Sequence, residues 1–560
     1  MLSTSPSKAT VASSHASSEV RMAASNSQIP GVRSHFKTPE GRYNLSHEKT
    51  HPTGLLHYNF GKVTTQVTLA HLKDKPAQTP ANSAGSSGSG GVRFTTRLLG
   101  AGNGSRGLGF GGGNGFTGRL SGTSKSTAIP ITGMSSSNGP MTSSFDGEGT
   151  YLIFNVGDAL FISDYNSQDK EPIKIIHFNS ANPVCHAFDS EAKDGHDLLV
   201  GLNSGDVYSA SLRQQLQDVG KKLVGALHYN KDGSINGSRC NAVAWVPNAE
   251  GLFVAGHADG NVYVYDKSKD GGGDVPFPPV KDTTQFSISH ARSSKSNPIA
   301  RWHICQGSIN GLSFSSDGKY LATVGRDGYL RVFEFAKELL VCGSKSYFGS
   351  LLCCAWSPDG KYVLTGGEDD LVQVWSMEDQ AVVAWGEGHN SWVSGVAFDP
   401  YWEAPSPDTG AGETTTYRFG SVGQDTQLLL WDLAMDEVVV PLRRMAPSGA
   451  SPSSNASANH STHWDGAMHT LGALHPAPIR KEVPKLAPVM AHRVHAEPLS
   501  GLLFTNEAIV TACHEGHVKI WDRPGKGYAL VDHRAEISAV GGPKDKLLPL
   551  GKGAILHLRQ

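Results

Sequence analysis

One short unit of strand-like sequence recurs along the chain, and this repetition restricts the possible folds more than any other feature. Each copy contains an apolar run with an aromatic residue, a turn, a second run, a Gly-x-Asp-like turn and a third run ending in an aromatic residue. The clearest copies span 241–266, 309–333, 351–375, 393–432 and 499–522. Short runs rich in Val, Leu, Phe, Tyr and Trp, separated by such turns, predict antiparallel hairpins.

Two fainter copies begin at Phe145 and Pro183 and bring the number of units to seven. Phe333 and Trp375, which end successive copies, fit the period of about 40–45 residues that is typical of propeller blades. Seven four-stranded units can close into a ring that leaves no long exposed edge. The predicted fold class is therefore all-β, a seven-bladed β-propeller. The blade-end pairs Trp431-Asp432 and Trp521-Asp522 resemble the WD40 repeat.

Composition divides the chain into segments of different character. We expect a disordered Ser-rich N-terminus at 1–35, a segment with a possible closing strand at 36–73, a disordered Gly/Ser-rich linker at 74–141, the propeller at 142–530, and a tail packing on the ring at 531–560. Within the propeller, disordered insertions are predicted at about 268–297, 402–416 and 443–482. These segments have too few apolar side chains to offset the entropy of ordering them.

Charge and cysteine content narrow the class of partner and the compartment. The formal net charge is -2, so no basic surplus attracts the whole chain to nucleic acid. The seven cysteines form no CxxC pair and fall mostly in apolar runs, which favours reduced, buried thiols inside a cell. No run approaches the roughly 18 apolar residues that would span a membrane. We expect a protein of the cytoplasm and nucleus.

Polar residues in the sixth unit could be mistaken for a hydrolase triad. His389, Ser421, Asp425 and Trp431 instead match the spacing of the structural tetrad of WD40 repeats, in which a buried hydrogen-bond network fixes the blade. The last unit repeats the pattern with His495, Thr511 and Trp521, and Glu515 replaces the Asp. These residues are predicted to be structural, and the chain is not expected to be an enzyme.

Two further patterns resemble ligand sites but are better explained by composition. The glycines between Gly102 and Gly107 lie in a glycine tract without the following helix that dinucleotide binding needs. The histidines between His460 and His475 lie in a predicted insertion and have no cysteine partners nearby. We therefore predict no cofactor and no metal.

Aromatic residues in two connecting segments indicate a binding surface. The position six residues before the first-strand aromatic holds Ser308 and Ser350 in two units but Trp392 in the next. Tyr347 and Phe348 occupy the corresponding segment of the neighbouring unit. Large aromatics on adjacent loops of one propeller face make a plausible hot spot for a partner protein. The alternative is that they pack on the propeller rim.

Long stretches of the chain resemble one family in particular. The carrying sequences include SYFGSLLCCAWSPDGKYVLTGGEDDLVQVWS from Ser346, HNSWVSGVAFDPY from His389 and YRFGSVGQDTQLLLWDL from Tyr417. These are very similar to the family of WD repeat-containing protein 20, the dystrophia myotonica WD repeat protein and the fungal catabolite-repression protein CreC. The resemblance departs in the glycine-rich stretch, in two loops and in the tail.

The resemblance implies a function and a set of contact residues. Members of this family bind small ubiquitin-specific proteases and stimulate them, usually beside a second WD-repeat activator. Residues matching Phe348 and Trp392 dock the protease in the family. The alternative is a substrate receptor of a cullin-RING ubiquitin ligase or another WD40 scaffold. The WD-x-Arg signature of the ligase receptors is missing, because Ala434 and Pro524 follow the two Trp-Asp pairs where Arg is expected.

Overall fold

The computed structural model describes residues 32–52, 56, 63–73, 148–193, 195–269, 271, 277–403, 416–434 and 472–525. The chain divides into two compact units, 1–73 with 147–560 and 74–146. The second unit, and with it the predicted linker at 74–141, lies outside the described residues. So do the predicted tail at 531–560 and most of the predicted N-terminal segment.

The described part of the chain is built almost entirely from short β-strands. In chain order, the first sixteen are β1 (His35–Thr38), β2 (Gly41–Lys49), β3 (Val67–Leu72), β4 (Gly149–Val156), β5 (Ala159–Asp164), β6 (Lys174–His177), β7 (Pro183–Phe188), β8 (Leu198–Leu202), β9 (Val207–Ala210), β10 (Leu227–Tyr229), β11 (Cys240–Trp245), β12 (Leu252–His257), β13 (Asn261–Asp266), β14 (Ser287–His290), β15 (Ala300–His303) and β16 (Ile309–Phe314). The others are β17 (Tyr320–Gly325), β18 (Tyr329–Glu334), β19 (Leu339–Lys345), β20 (Leu351–Trp356), β21 (Tyr362–Gly367), β22 (Leu371–Ser376), β23 (Ala381–Glu387), β24 (Val393–Phe398), β25 (Thr416–Gly423), β26 (Gln427–Ala434), β27 (Ala473–His475), β28 (Lys485–Leu486), β29 (Met490–Arg493), β30 (Leu499–Phe504), β31 (Ala508–Cys513) and β32 (Val518–Asp522).

Helical structure in the described residues is limited to short pieces. The α-helix α1 (Leu212–Gln217) follows the third strand of blade 2, and Ser211 caps its N-terminus by accepting a hydrogen bond from the Gln214 N–H. Turns of 3-10 helix occur at Lys231–Gly233, Phe335–Lys337 and Arg480–Glu482.

The strands form seven sheets arranged as a ring, which confirms the predicted seven-bladed β-propeller. In ring order, the innermost strands are β3, β7, β11, β16, β20, β24 and β30. Each innermost strand contacts the innermost strand of the next blade, and β3 of blade 1 contacts β30 of blade 7, so the ring is closed. Blades 1, 2 and 6 have four strands each, and the other blades have five.

Neighbouring blades cover both faces of the middle strands of each blade, as blade 5 shows. In blade 5 every residue of β21 and β22 is buried, because both faces of the sheet are covered by adjacent blades.

Tight packing also requires a glycine at the end of β21. A Cβ on Gly367 would lie 2.3 Å from the carbonyl oxygen of Ser350, which no side chain could tolerate.

The segment 36–73, predicted to supply a possible closing strand, contributes strands to two blades of the ring. β2 pairs antiparallel with β32, so blade 7 joins strands from both ends of the described chain. β3 then forms the innermost strand of blade 1 and pairs with β4. The copy that begins at Phe145 therefore supplies the second and third strands of blade 1, and the propeller begins before residue 142. Weak repetition in this part of the sequence concealed the offset.

Two segments predicted as disordered insertions contain ordered strands. Within 268–297, β14 pairs with β15 at the outer edge of blade 3. Within 443–482, β27 pairs in parallel with β19 of blade 4. Both prediction errors have the same cause, since these residues gain order from edge pairing with an existing sheet and not from a core of their own. Residues 404–415 of the third predicted insertion lie outside the described residues.

A buried histidine between blades 1 and 2 makes stability depend on pH. Burial lowers the pKa of His186 to about 4, and its Nδ1 lies 2.8 Å from the Thr68 hydroxyl. Below pH 6.5 the unfolded chain takes up a proton at His186 that the folded chain excludes, so the free energy of unfolding falls as the pH falls towards 4. We expect this residue to account for about 2 kcal/mol of lost stability at pH 5.

Chemical denaturation at pH 7 and pH 5 measures this effect. His186→Gln is expected to be less stable than the wild type at pH 7 but to lose about 2 kcal/mol less between the two pH values. Equal losses in both proteins would contradict a neutral His186.

Candidate protein-docking face

Two adjacent loops carry the exposed aromatic residues that sequence analysis selected. Phe348 lies in the loop that enters β20, and its side chain is 72% exposed. Trp392 lies in the loop that enters β24 of the next blade and is 42% exposed. Because both loops lead into innermost strands of neighbouring blades, they share one face of the ring. The corresponding Ser350 is buried, as expected for a small residue at this position.

An acidic turn of blade 5 lies between the two aromatic loops. Glu368 accepts a hydrogen bond of 2.9 Å from the Ser350 N–H, and Asp369 accepts one of 3.2 Å from the Tyr347 N–H. Asp370 follows with a left-handed backbone (φ 60°) and interacts electrostatically with His389 and Asp425 of blade 6. We define the docking face as Phe348, Trp392 and this turn, Glu368–Asp370.

Tyr347 differs from its neighbour Phe348 because its ring is half-buried. The ring packs edge-on against Trp385, with 6.5 Å between centroids, and the Arg480 guanidinium lies 4.9 Å from the Tyr347 centroid. Burial, partly offset by Arg480, raises the pKa of the Tyr347 hydroxyl above its usual value. Tyr347, which the sequence predicts as a partner-binding residue beside Phe348, thus has its ring packed against Trp385 and Arg480.

The four polar residues singled out in blade 6 form one hydrogen-bonded chain beneath the docking face. Trp431 Nε1–H donates to Ser421 Oγ over 2.8 Å, and Ser421 Oγ lies 2.8 Å from His389 Nε2. His389 Nδ1 lies 3.0 Å from a carboxylate oxygen of Asp425. Burial alone would raise the pKa of Asp425, but His389 and two backbone N–H groups hold it below its usual value.

The same network recurs in blade 7 with different polar groups. Trp521 Nε1–H donates to Thr511 Oγ1 over 3.0 Å, and His495 Nε2 lies 2.9 Å from the same hydroxyl. Burial, followed by the nearby Lys519 charge, lowers the pKa of His495 well below its usual value. The sequence pattern predicts these contacts because Ser421 and Thr511 occupy equivalent positions in β25 and β31.

Other chemically capable groups in the described residues do not converge on a site. All seven cysteines are free thiols, and burial raises the pKa of Cys305, Cys342 and Cys354 to about 12. Across the described ranges, His, Cys, Asp and Glu side chains form no group of three that could hold a metal ion. None of the described helices is long and apolar enough to cross a membrane.

Sequence analysis missed two residues of this surface, and both lie in the segment before β29. Arg480 and Ile479 fall in a polar stretch predicted as disordered, yet Arg480 stacks on Tyr347 and Ile479 is 62% exposed. The sequence shows that a basic residue follows an isoleucine here. The position of this basic residue next to the docking loop was not predictable, because that contact joins residues about 130 positions apart and depends on the ring.

Comparison with known proteins agrees with this architecture. Residues 297–334 and 340–376 match the family model described as WD domain, G-beta repeat. Together with the closed ring and the two polar networks, this match defines a WD40-repeat β-propeller, a fold class that typically serves as a scaffold for other proteins. WD repeat-containing protein 20 from Mus musculus is 34% identical over 511 residues, covering 68% of this chain and 88% of the relative. The chain belongs to the family of WD repeat-containing protein 20.

Among solved structures, the match is weaker. A chain of the crystal structure of the mitotic checkpoint complex is 12% identical, with a TM-score of 0.43, and the match covers 67% of this chain and 84% of that chain.

Proposed function

We propose that this chain binds a ubiquitin-specific protease through the docking face and raises the activity of that protease. The observation that supports this proposal is the pair of exposed aromatics, Phe348 and Trp392, on adjacent loops of one face. The family resemblance implies that residues at these two positions dock the protease. A second WD-repeat activator completes the proposed assembly, which works in the cytoplasm and nucleus.

The physical character of the face suits a partner with a mixed apolar and basic surface. Large aromatic side chains bury much area with little loss of rotamer freedom, so they dominate the binding energy of many interfaces. The acidic turn Glu368–Asp370 between them favours basic groups on the partner and disfavours acidic ones. Asp370 is half-exposed and accessible from solvent for such a contact.

Activation by a scaffold of this kind requires no catalytic group from the propeller. A rigid face that binds the active arrangement of the protease better than the inactive one shifts the population towards the active arrangement. Coupling of this kind typically changes the affinity of the second ligand by about 5–150-fold. The hydrogen-bonded network under Trp392 supplies rigidity, because His389 and Ser421 fix the loop that carries this indole.

Two measurements test the proposal together. The tagged chain is purified from cells of its own source, and bound proteins are identified by mass spectrometry. A ubiquitin-specific protease recovered there is then purified, and its hydrolysis of a fluorogenic ubiquitin substrate is measured with and without this chain. We expect specific recovery of the protease and stimulation of about tenfold or more, as when an active arrangement populated to about 0.1–10% becomes the dominant one. Recovery of cullin adaptor proteins in its place would support the ligase-receptor alternative and overturn the proposal.

Substitutions on the docking face give the sharper test. Phe348→Ala and Trp392→Ala are each expected to weaken protease binding more than tenfold, because each removes a central aromatic anchor. The thermal melt of the propeller is expected to change little, since both side chains are exposed. Protease binding is measured by titration calorimetry.

Tyr401→Ala is the matched control for Trp392→Ala. Tyr401 is 48% exposed and follows the far end of β24, so it lies on the opposite face of the ring. The six residues of β24 span about 20 Å. Tyr401→Ala is expected to bind the protease as the wild type does. Equal weakening by Tyr401→Ala, or wild-type binding by both docking-face variants, would refute the assignment of this face.

A further inference from the structure

The chain between the third and fourth strands of blade 6 takes a detour along the outside of two other blades. We call residues 472–489 the strap. β27 adds to β19 of blade 4 in parallel, with Cys342 opposite Ala473. β28 then adds to β23 of blade 5, with Trp385 opposite Lys485, before β29 completes blade 6.

Trp385 anchors the strap beside the docking face. Its indole N–H points at the carbonyl oxygens of Arg480 and Val483, at 3.3 and 3.1 Å. The Arg480 guanidinium lies 5.1 Å from the Trp385 centroid and 4.9 Å from that of Tyr347. Arg480 therefore joins the strap to the loop that presents Phe348.

Protection of sheet edges explains only part of the strap. Parallel pairing covers the outer strands β19 and β23, which would otherwise expose unpaired backbone groups. Ile479 lies between the two paired stretches, at the start of the 3-10 turn Arg480–Glu482, and its side chain is 62% exposed. Edge protection gives no reason for an exposed isoleucine there.

We propose that the strap is a second contact segment of the docking face, in which Ile479 touches the same partner as Phe348 and Arg480 acts as a positioning residue for the Tyr347–Phe348 loop. The inference rests on the proposed function, since the occupant is the ubiquitin-specific protease. Ile479 precedes Arg480 in the chain, Arg480 stacks on Tyr347, and Tyr347 precedes Phe348. A stable interface covers about 800 Å² on each partner, roughly 30 Å across, which is wide enough to include both residues.

The first test compares two exposed isoleucines. Ile479→Asp is expected to weaken binding of the purified protease about tenfold, because it places a charge in an apolar contact. Ile173→Asp, at a 44% exposed position in blade 1, is the control and is expected to bind as the wild type does. Thermal melts of both variants are expected to match the wild type. Binding is measured by titration calorimetry.

Phe348→Ala, measured in the same series, separates failure of this inference from failure of the proposed function. Wild-type affinity of Ile479→Asp combined with weak binding of Phe348→Ala would overturn the strap contact and leave the docking face standing. If Phe348→Ala also binds as the wild type does, both proposals fail.

A double-mutant cycle tests the positioning role of Arg480. Arg480→Met keeps most of the aliphatic length but loses the cation over the Tyr347 ring, and it is expected to weaken protease binding about threefold. In a Tyr347→Ala background the same substitution is expected to have no further effect, because the two residues act through one contact. Arg480→Lys, which keeps a cation, is expected to restore part of the affinity. Equal effects of Arg480→Met in both backgrounds would overturn the positioning role.

Discussion

A variant that lacks residues 1–49 is expected to lose cooperative unfolding altogether. The deletion removes β2, which pairs with β32 from Asn44 to Lys49. It also removes Phe36 and Tyr43, whose rings stack at 4.8 Å in the core of blade 7. Without this strand, blade 7 presents an open edge and the buried ring of Trp521 loses its cover.

The N-terminal strand also ties blade 7 to other parts of the ring. Lys49 is fully buried, and its ammonium group donates to the carbonyl oxygens of Ser167 and Asp169 in blade 1. Glu40, in the turn before β2, forms an ion pair with the buried Arg418 of blade 6 at 2.6 Å. Deletion would leave Arg418 with a single carboxylate partner, Asp432, among the contacts that the structure describes.

Differential scanning calorimetry measures this effect against two matched variants. A variant lacking residues 1–31 keeps β1 and β2 and is expected to melt like the full chain. Tyr43→Ala keeps the strand but empties its core position, and it is expected to lower the free energy of unfolding by about 3 kcal/mol. A cooperative melt of the 1–49 deletion within a few degrees of the wild type would show that the ring closes without this strand.

Ser421→Ala is expected to lower the free energy of unfolding by about 3 kcal/mol. The Ser421 hydroxyl accepts from Trp431 Nε1–H and lies 2.8 Å from His389 Nε2, and both partners are buried. Removal of the hydroxyl leaves Trp431 Nε1–H and His389 Nε2 without this hydrogen-bond partner in the buried interior of blade 6. Each such group costs about 1–3 kcal/mol.

Ser421→Thr is the matched control, because Thr511 holds the equivalent place in blade 7 with the same two contacts. The control is expected to unfold close to the wild type in urea. The network also supports the loop of Trp392. Ser421→Ala is therefore expected to weaken binding of the proposed protease partner at temperatures at which the variant is still folded. A loss of less than 0.5 kcal/mol in Ser421→Ala would contradict a cooperative network.

The blades and their polar networks were predictable because their signals are local. The short apolar runs of β20–β22 and the turn residues between them predict these hairpins independently of the rest of the chain. The spacing of Ser421 and Trp431 within one hairpin likewise places the hydroxyl beside the indole. Prediction of Trp392 as an exposed side chain followed from comparing equivalent positions in successive units.

Pairing between strands that lie far apart in the sequence could not be predicted from local signals. In blade 1 a long segment separates β3 from its pairing partner β4. This separation produces no repeating pattern in the sequence. The order of β14 and β27 was missed because polar residues pair with a sheet edge through their backbone groups, and backbone pairing leaves little mark on composition.

The sequence by itself determined that this protein would be a ring of antiparallel blades with aromatic loops on one face, because hairpin pairing and burial repeat with a short period. Only the tertiary structure decided which ends meet in blade 7, and that Arg480 lies over Tyr347. Those contacts join residues far apart in the chain. They exist only once the blades have formed, because β2 pairs with β32 of blade 7 and the strap pairs with β19 and β23 of blades 4 and 5.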